Sequence, residues 1–227
     1  IRPYLDRVID RVSEFTLDNG MKFVVMERHE APLVSFVTYA NVGGVDEPDG
    51  QTGVAHFLEH LAFKGTTRIG TSDHDAEVPI MEEMSKIEVE RQKARDRGDD
   101  ATAEQLREEL IALEAKAQPF VKQNEYGQIV EQAGGAGLNA ATSADATFYF
   151  YSFPSNKLEL WMSLESERFL DPVFREFYKE QEVILEERRQ RTDNSPVGKA
   201  IEVFLDKAYD VHPYKRPVIG FNQDIRN

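Results

Sequence analysis

The first pattern along the chain is an apolar and β-branched run from Glu14 to Val25, which is interrupted by Asp18-Asn19-Gly20. An Asn-Gly pair between two such runs is a strong signal for a tight β-hairpin, because both residues tolerate the positive φ angles of the turn. A second extended run covers residues 32–44 and ends in a double glycine and a polar loop. The sequence therefore predicts a hairpin, a further strand and then a helix beginning after residue 52.

The composition changes to Glu, Lys, Arg, Gln and Ala between about Pro79 and Gln123, with a break at residues 97–100. This composition favours helix, and the break allows one helix to turn back on another. We predict a helical hairpin over residues 79–123, inserted into a single domain that spans residues 1–227. A solvated insertion is favoured over a docking arm or lid, because charge-laced helices are common on protein surfaces.

The second half of the chain mixes strand and helix patterns. In residues 134–154 glycines lead into an alternating Thr, Phe and Tyr run that is typical of a strand. A helix follows, ended by Pro172, and a further helix is predicted over residues 175–194. The helix before Pro172 has its apolar residues at helical spacing: Leu158, Trp161, Met162, Leu164 and Phe169.

Composition narrows the possible functions. The 227 residues suffice for one sizeable core, and 41% apolar with 30% charged residues suits a globular protein that has no membrane-spanning segment. The net charge of −14 argues against a nucleic-acid partner, which needs clustered Lys and Arg, and suits a basic or unfolded polypeptide better. Because the chain has no cysteine, any metal must be held by His and carboxylate side chains.

A candidate metal site lies in the stretch HFLEH at residues 56–60. The four-residue spacing places His56 and His60 on one face of a helix, with Glu59 beside them. An amphipathic helix with two satisfied histidines is the alternative interpretation of this stretch alone. A catalytic zinc site normally has three protein ligands and a water, so a third ligand must come from elsewhere. Glu180 and Glu187 lie two turns apart on the last predicted helix, and by spacing either one could reach the metal.

These motifs together resemble the pitrilysin and insulinase type of zinc peptidases, the M16 type, which includes the mitochondrial processing peptidases. The stretch HFLEH matches the inverted zincin pattern, and EQEVILEE at residues 180–187 resembles the family's second motif. The segments DNGMKFVV, GGAGLNAATSADATFY and HPYKRPVIG are also similar to the family. The resemblance implies that Glu187 is the third ligand of one zinc ion per chain, and that Glu180 supports a ligand histidine.

The resemblance also implies a fold and a substrate edge. The fold is α+β, a mixed and largely antiparallel sheet with helices packed on one face, as in the LuxS/MPP-like metallohydrolase fold. A strand formed by Leu138, Asn139, Ala140, Ala141 and Thr142 resembles the edge to which a peptide substrate adds as an extra strand. An ordinary sheet strand is an equally good interpretation of these five residues.

Two departures from the family qualify these expectations. The separation between His60 and Glu187 is longer than the family usually shows, and the predicted hairpin accounts for the excess. Family enzymes also form a chamber from two or four such domains, so we expect a second domain or subunit of the same fold as partner, and weak activity from this chain alone. The compartment is left open between a bacterial cell envelope or periplasm and an organelle.

The leading hypothesis is a zinc metalloendopeptidase domain that cleaves peptides or unfolded polypeptide segments, with Glu59 as base and then acid. The alternative is a homologue of the same fold that binds or assembles polypeptides without cutting them. Loss of Glu59 or of a histidine would favour that alternative, but all three residues are present. The sequence therefore favours the enzyme.

Overall fold

The computed structural model describes residues 9–226. Strands β1 (Val12–Thr16) and β2 (Lys22–Met26) pair antiparallel as a two-stranded sheet. Gly20 has a φ of +86° in the connecting turn, and the rings of Phe15 and Phe23 stack with centroids 5.0 Å apart. The hairpin expected from the Asn-Gly pair therefore forms.

A three-stranded antiparallel sheet forms the centre of the fold. Its strands are β3 (Leu33–Ala40), β4 (Ala136–Thr142) and β5 (Thr147–Pro154), in the order β3-β5-β4. The central strand β5 buries every second residue, which fits its alternating sequence. The edge strand β4 carries an irregularity between Ala136 and Asn139. The predicted α+β class with a largely antiparallel sheet is confirmed.

The hydrophobic core lies between this sheet and two helices, α4 (Glu125–Gln132) and α5 (Leu158–Leu170). Stacking of Phe36 on Trp161, with ring centroids 4.2 Å apart, joins β3 to α5. The helical spacing of apolar residues before Pro172 therefore predicted α5 correctly, and the apolar face of this helix packs on the sheet. Six side chains form the buried centre of this core: Phe36, Tyr126, Val130, Tyr151, Phe153 and Leu164.

A pair of long helices occupies the charged region, α2 (His74–Asp96) and α3 (Asp100–Ala117). Gly98 turns the chain between them at a φ of +71°. The first helix begins five residues before Pro79, because the Asp73 carboxylate accepts a hydrogen bond from the Ala76 amide (3.1 Å) and caps it. The hairpin helices α2 and α3 pack against each other along their length.

The remaining helices carry the candidate site and the end of the chain. They are α1 (Val54–Leu61), α6 (Phe177–Arg188), α7 (Pro196–Ala208) and α8 (Asn222–Ile225). The single helix predicted over residues 175–194 is shorter than expected, because a π-helical turn, Arg189–Asp193, follows α6. Within residues 9–226, no helix combines the length and the apolar character that crossing a membrane requires.

Candidate metal centre

Gly53 is the N-cap residue that precedes α1, and it has a φ of +92°. A Cβ atom at this position would lie 2.7 Å from the Ile219 carbonyl oxygen, so glycine is required both by the conformation and by the space. The buried carboxylate of Glu47 accepts hydrogen bonds from the amides of Gly53 (2.8 Å) and Ala55 (2.7 Å). It thereby satisfies two of the free amides at the start of α1 and complements the positive end of the helix.

A second carboxylate ties the same turn to the end of the described chain. Asp224 accepts hydrogen bonds from the Thr52 amide (3.1 Å) and from the Thr52 hydroxyl (2.6 Å). The Thr52 hydroxyl oxygen in turn accepts a hydrogen bond from the Phe221 amide (2.9 Å). The position of α1 is therefore fixed from both sides before any metal ligand is considered.

The structure brings His56, His60 and Glu187 together, with one potential ligand atom from each lying within 4.8 Å of the others. The Nε2 atoms of His56 and His60 are 3.7 and 3.5 Å from Glu187 Oε2. The rings of the two histidines meet edge-to-face, with centroids 4.7 Å apart. A helix from early in the chain and a helix from late in the chain thus supply one cluster.

This donor set fits zinc. Two imidazole nitrogens and one carboxylate oxygen are ligands that Zn²⁺ accepts, and such a set leaves a fourth position open. Tetrahedral ligands at about 2.0–2.1 Å from zinc lie about 3.3–3.5 Å from one another, close to the observed Nε2 to Oε2 distances. The buried Nδ1 atom of His56 has no hydrogen-bond partner among residues 9–226.

The two histidines have opposite pKa shifts. Burial, and then the neighbouring His60, lower the pKa of His56 to about 4. Hydrogen bonds to Glu180 and Glu187 raise the pKa of His60 to about 9. His56 is therefore a neutral donor at pH 7, whereas a metal that binds here must displace the proton that two carboxylates hold on His60.

Glu180 lies behind His60 rather than beside Glu187. Its Oε2 atom is 3.3 Å from His60 Nδ1, and its Oε1 atom is 2.5 Å from Lys64 Nζ. Lys64 also donates to Glu176 Oε2 (3.1 Å), which lies one turn earlier on the chain. A carboxylate on Nδ1 orients the ring and directs Nε2 towards the cluster with Glu187.

Glu59 is half-buried one residue before His60, and it contacts the edge strand. The Thr142 hydroxyl donates to Glu59 Oε2 (2.5 Å). Residues 9–226 make no hydrogen bond to the other oxygen, Oε1. Thr142 therefore fixes the side chain while one oxygen stays available for a proton.

A cleft of about 660 Å³ surrounds these residues. Four of the five strand residues predicted to contact substrate line it, namely Asn139, Ala140, Ala141 and Thr142. Leu138 does not line it but packs against the hydrophobic core. Strand β4 pairs with β5 on one side, and no strand among residues 9–226 pairs with its outer edge.

Contributors to the site that the sequence analysis missed include Glu47, Lys64 and Arg191. Arg191 Nη1 lies 2.5 Å from Glu187 Oε1, whereas both histidines lie nearest the other carboxylate oxygen, Oε2. The i, i+4 spacing of Glu187 and Arg191 was a usable signal. Glu47 gave no such signal, because it caps α1 from a loop instead of from the N-cap position.

Comparison with known proteins connects this geometry to a family. The model of the insulinase family (peptidase family M16) matches residues 22–78 and 118–221. The matched segments contain His56, Glu59, His60, Glu180 and Glu187. The unmatched residues 79–117 comprise most of α2 and all of α3.

Individual relatives agree with the family model. The chain is 30% identical over 215 residues to the zinc protease PqqE of Helicobacter pylori, covering 93% of this chain and 36% of that protein. The crystal structure of a protease from Helicobacter pylori matches with a TM-score of 0.68 and 29% identity, covering 95% of this chain and 40% of that one. The first half of the periplasmic protease PqqL from Escherichia coli matches at a TM-score of 0.63 and 21% identity, which supports the fold alone.

Proposed function

This chain belongs to the insulinase family, peptidase family M16, as its motifs predicted, and from that premise we propose that it is the metal-bearing domain of a zinc endopeptidase. The relatives named as zinc proteases support a peptidase role and zinc as the metal. We assign one zinc per chain to His56, His60 and Glu187. The observation that carries this proposal is the convergence of their ligand atoms within 4.8 Å, from helices that are far apart in the chain.

When bound, zinc supplies Lewis acidity, which lowers the pKa of a coordinated water and polarises a peptide carbonyl. Glu59 provides the general base. Its Oε1 atom receives the proton of the attacking water and then delivers it to the nitrogen of the leaving amine. The Thr142 hydroxyl on Oε2 holds the carboxylate in place during both transfers. Glu180 keeps Nδ1 of His60 engaged, so that Nε2 remains a ligand.

The free edge of β4 supports an extended peptide as the substrate. Residues 139–142 line the same cleft as Glu59 and the histidines. An added strand would pair with this edge through main-chain hydrogen bonds, so binding depends on an extended conformation more than on side chains. An unfolded segment meets this requirement, whereas a folded protein surface does not.

A second domain of the same fold, or a second subunit, would close the cleft into a chamber. The chain spans only 36% of the length of the Helicobacter zinc protease that it matches, which supports this part of the proposal. In the chain itself β4 lies at the edge of the sheet and residues 139–142 line the cleft. We therefore expect weak turnover or none from this domain alone, and full turnover from the protein that contains both parts.

Metal content tests the proposal directly. Elemental mass spectrometry of protein purified without chelator should find one zinc per chain, and His60→Ala and Glu187→Ala should each lose it. The matched control is Glu186→Gln, because Glu186 is the adjacent carboxylate on α6 and pairs with Arg189 away from the cluster. This control should retain the metal.

Two results would contradict the proposal. Protein that carries no zinc and takes up none on addition would favour the polypeptide-binding homologue without catalysis. Zinc that survives both His60→Ala and Glu187→Ala in folded protein would place the metal elsewhere. Circular dichroism of each variant separates loss of metal from loss of fold.

A further inference from the structure

A second cavity, of about 500 Å³, lies between the hairpin helices and the start of α6. Pockets of about 300–1,000 Å³ with mainly apolar walls and a few polar groups are typical small-molecule sites. This cavity has that character, and residues 79–117, which the family model does not match, supply one side of it. Its apolar wall includes Met81, Met84, Ile111, Val121, Phe177 and Tyr178.

The charges that line the cavity are mostly negative. Three carboxylates line it, Glu77, Glu114 and Glu176, against one cation, Lys179. Glu77 is already paired, because both of its oxygens lie 2.8 Å from Arg175 Nε. Glu176 is also satisfied, since it accepts hydrogen bonds from Gln123, Lys64 and Lys179.

Glu114 differs from the other two carboxylates. Residues 9–226 provide it with no hydrogen bond and no ion pair, and burial raises its pKa although the charge of Lys179 acts in the opposite direction. Its side chain is half-buried on the face of α3 that lines the cavity. A half-buried carboxylate at an apolar wall is stabilised by a cation that donates a hydrogen bond to it.

We propose that this cavity binds a small amphipathic amine, with its apolar body between the hairpin and α6 and its ammonium group on Glu114. Phe177 and Tyr178 also line the cavity and add aromatic surface for the apolar body. An anionic ligand would meet three carboxylates. A neutral apolar ligand would fill the space but would leave Glu114 without a partner.

The cavity adjoins the cleft that holds the proposed zinc ligands, but none of those ligands lines it. Phe177 packs on Phe57 of α1 with ring centroids 4.6 Å apart, and Glu176 lines both cavities. An amine in this cavity would therefore lie one helical turn from Glu180 without touching a proposed zinc ligand. The inference goes beyond the proposed peptidase function and does not depend on it.

The test uses metal-free protein, so that an amine cannot bind by coordinating zinc. Calorimetric titration compares 4-phenylbutylamine with the neutral 4-phenylbutan-1-ol, which shares its apolar body. The amine should bind saturably and about tenfold more tightly than the alcohol, the difference expected for one charge-assisted hydrogen bond. Equal binding of the two probes, or no saturable binding of the amine, would overturn the proposal.

Variants locate the binding. Glu114→Gln should remove the preference for the amine, and Ala115→Phe, which places a ring in the cavity, should abolish binding of both probes. Glu108→Gln, on the exposed face of the same helix, is the control and should bind like the parent. If circular dichroism shows that Ala115→Phe is unfolded, Ile111→Trp replaces it, because Ile111 is 49% exposed and tolerates a larger side chain. Retained amine preference in folded Glu114→Gln would contradict the assignment.

Discussion

The cleft around the proposed zinc ligands (the metal cleft) and the cavity between α2, α3 and α6 (the hairpin cavity) share Val121 and Glu176 but differ in chemistry. In the cleft, charged side chains engage one another, as Lys64 does with Glu176 and Glu180. In the hairpin cavity the walls are mainly apolar, and Glu114 makes no hydrogen bond or ion pair with residues 9–226. The family model matches the proposed metal ligands but not the hairpin wall.

This difference shows how one helix serves two environments. The first turn of α6 presents Phe177 and Tyr178 to the hairpin, whereas Glu180 and Glu187 face α1. The polar network of the cleft holds its side chains at fixed distances, as a metal site requires. An apolar cavity imposes fewer geometric demands, because hydrophobic contacts have no direction. Substitutions in the two regions should therefore change different measurements.

The largest expected effect in the cleft is on catalysis. Glu59→Gln keeps the shape of the side chain but removes its basicity, so turnover by the protein assembled with its proposed second part should fall by about 10²–10⁴-fold. Zinc content should not change, because Glu59 is not a proposed ligand. Glu108→Gln in the hairpin is the matched control and should retain full turnover. Equal activity of Glu59→Gln and the parent would remove Glu59 from the mechanism.

A smaller loss should follow from the residue that holds Glu59. Thr142→Val is nearly isosteric but cannot donate to Glu59 Oε2, so turnover should fall by about tenfold, the equivalent of one hydrogen bond. Thr142→Ser keeps the hydroxyl and should recover most of the activity. Steady-state kinetics with a peptide substrate should show the loss in kcat rather than in KM. A change confined to KM would indicate that Thr142 contacts substrate instead.

The stability of the metal-free protein should also depend on the cleft, through His60. Its pKa is raised to about 9 in the fold by Glu180 and Glu187, whereas the unfolded value is about 6.5. The stabilisation is fully present below pH 6.5 and is lost as the pH rises through 9. Urea unfolding with chelator present should show a decrease of about 1–3 kcal/mol over this interval.

The variant Glu180→Gln isolates this pH effect. It removes one of the two carboxylates on His60, so the decrease in unfolding free energy between pH 6.5 and 9.5 should become smaller. The hairpin control Glu108→Gln should keep the decrease of the parent. An unchanged pH dependence in Glu180→Gln would show that other groups cause it.

The smallest effect on the cleft should come from the largest change in the hairpin. Replacing residues 79–117 with a short Gly-Ser linker should leave zinc content at the parent level, because the proposed ligands lie in the segments that the family model matches. The same variant should lose amine binding, since one wall of the hairpin cavity is gone. Loss of zinc from a folded deletion variant would mean that the hairpin supports the cleft.

Local sequence signals predicted much of the fold. The Asn-Gly turn of the first hairpin, the α2–α3 break at Gly98 and the apolar spacing of α5 each depend on residues close together in sequence. The end of α6 was predicted less well. The switch to a π-helical turn at Arg189–Asp193 is not visible in the periodicity of the sequence. The start of α7 packs closely on this turn, since a Cβ added to Gly198 would lie 2.0 Å from the Arg191 carbonyl oxygen.

The candidate site shows the same limit more clearly. The helical spacing of His56 and His60 indicated a shared face, but spacing alone left Glu180 and Glu187 equivalent. They became distinct only through tertiary placement, which sets Glu180 on Nδ1 and Glu187 near Nε2 of His60. The contact of Thr142 with Glu59 likewise joins a strand to a helix across 83 residues. Such contacts depend on packing between distant elements, which local pattern does not encode.

The close approach of Gly53 and Gly220 bears on the order of assembly during protein synthesis. A Cβ on Gly220 would lie 2.4 Å from the Thr52 carbonyl oxygen, so the two segments meet backbone to backbone. The ribosome releases the α1 segment long before residues 219–224 emerge. Until then Thr52 lacks its Asp224 partner, and the start of the helix that carries two histidines has only its local Glu47 cap. The cleft should therefore be among the last regions to order on a nascent chain, after the hairpin helices, whose contacts are local.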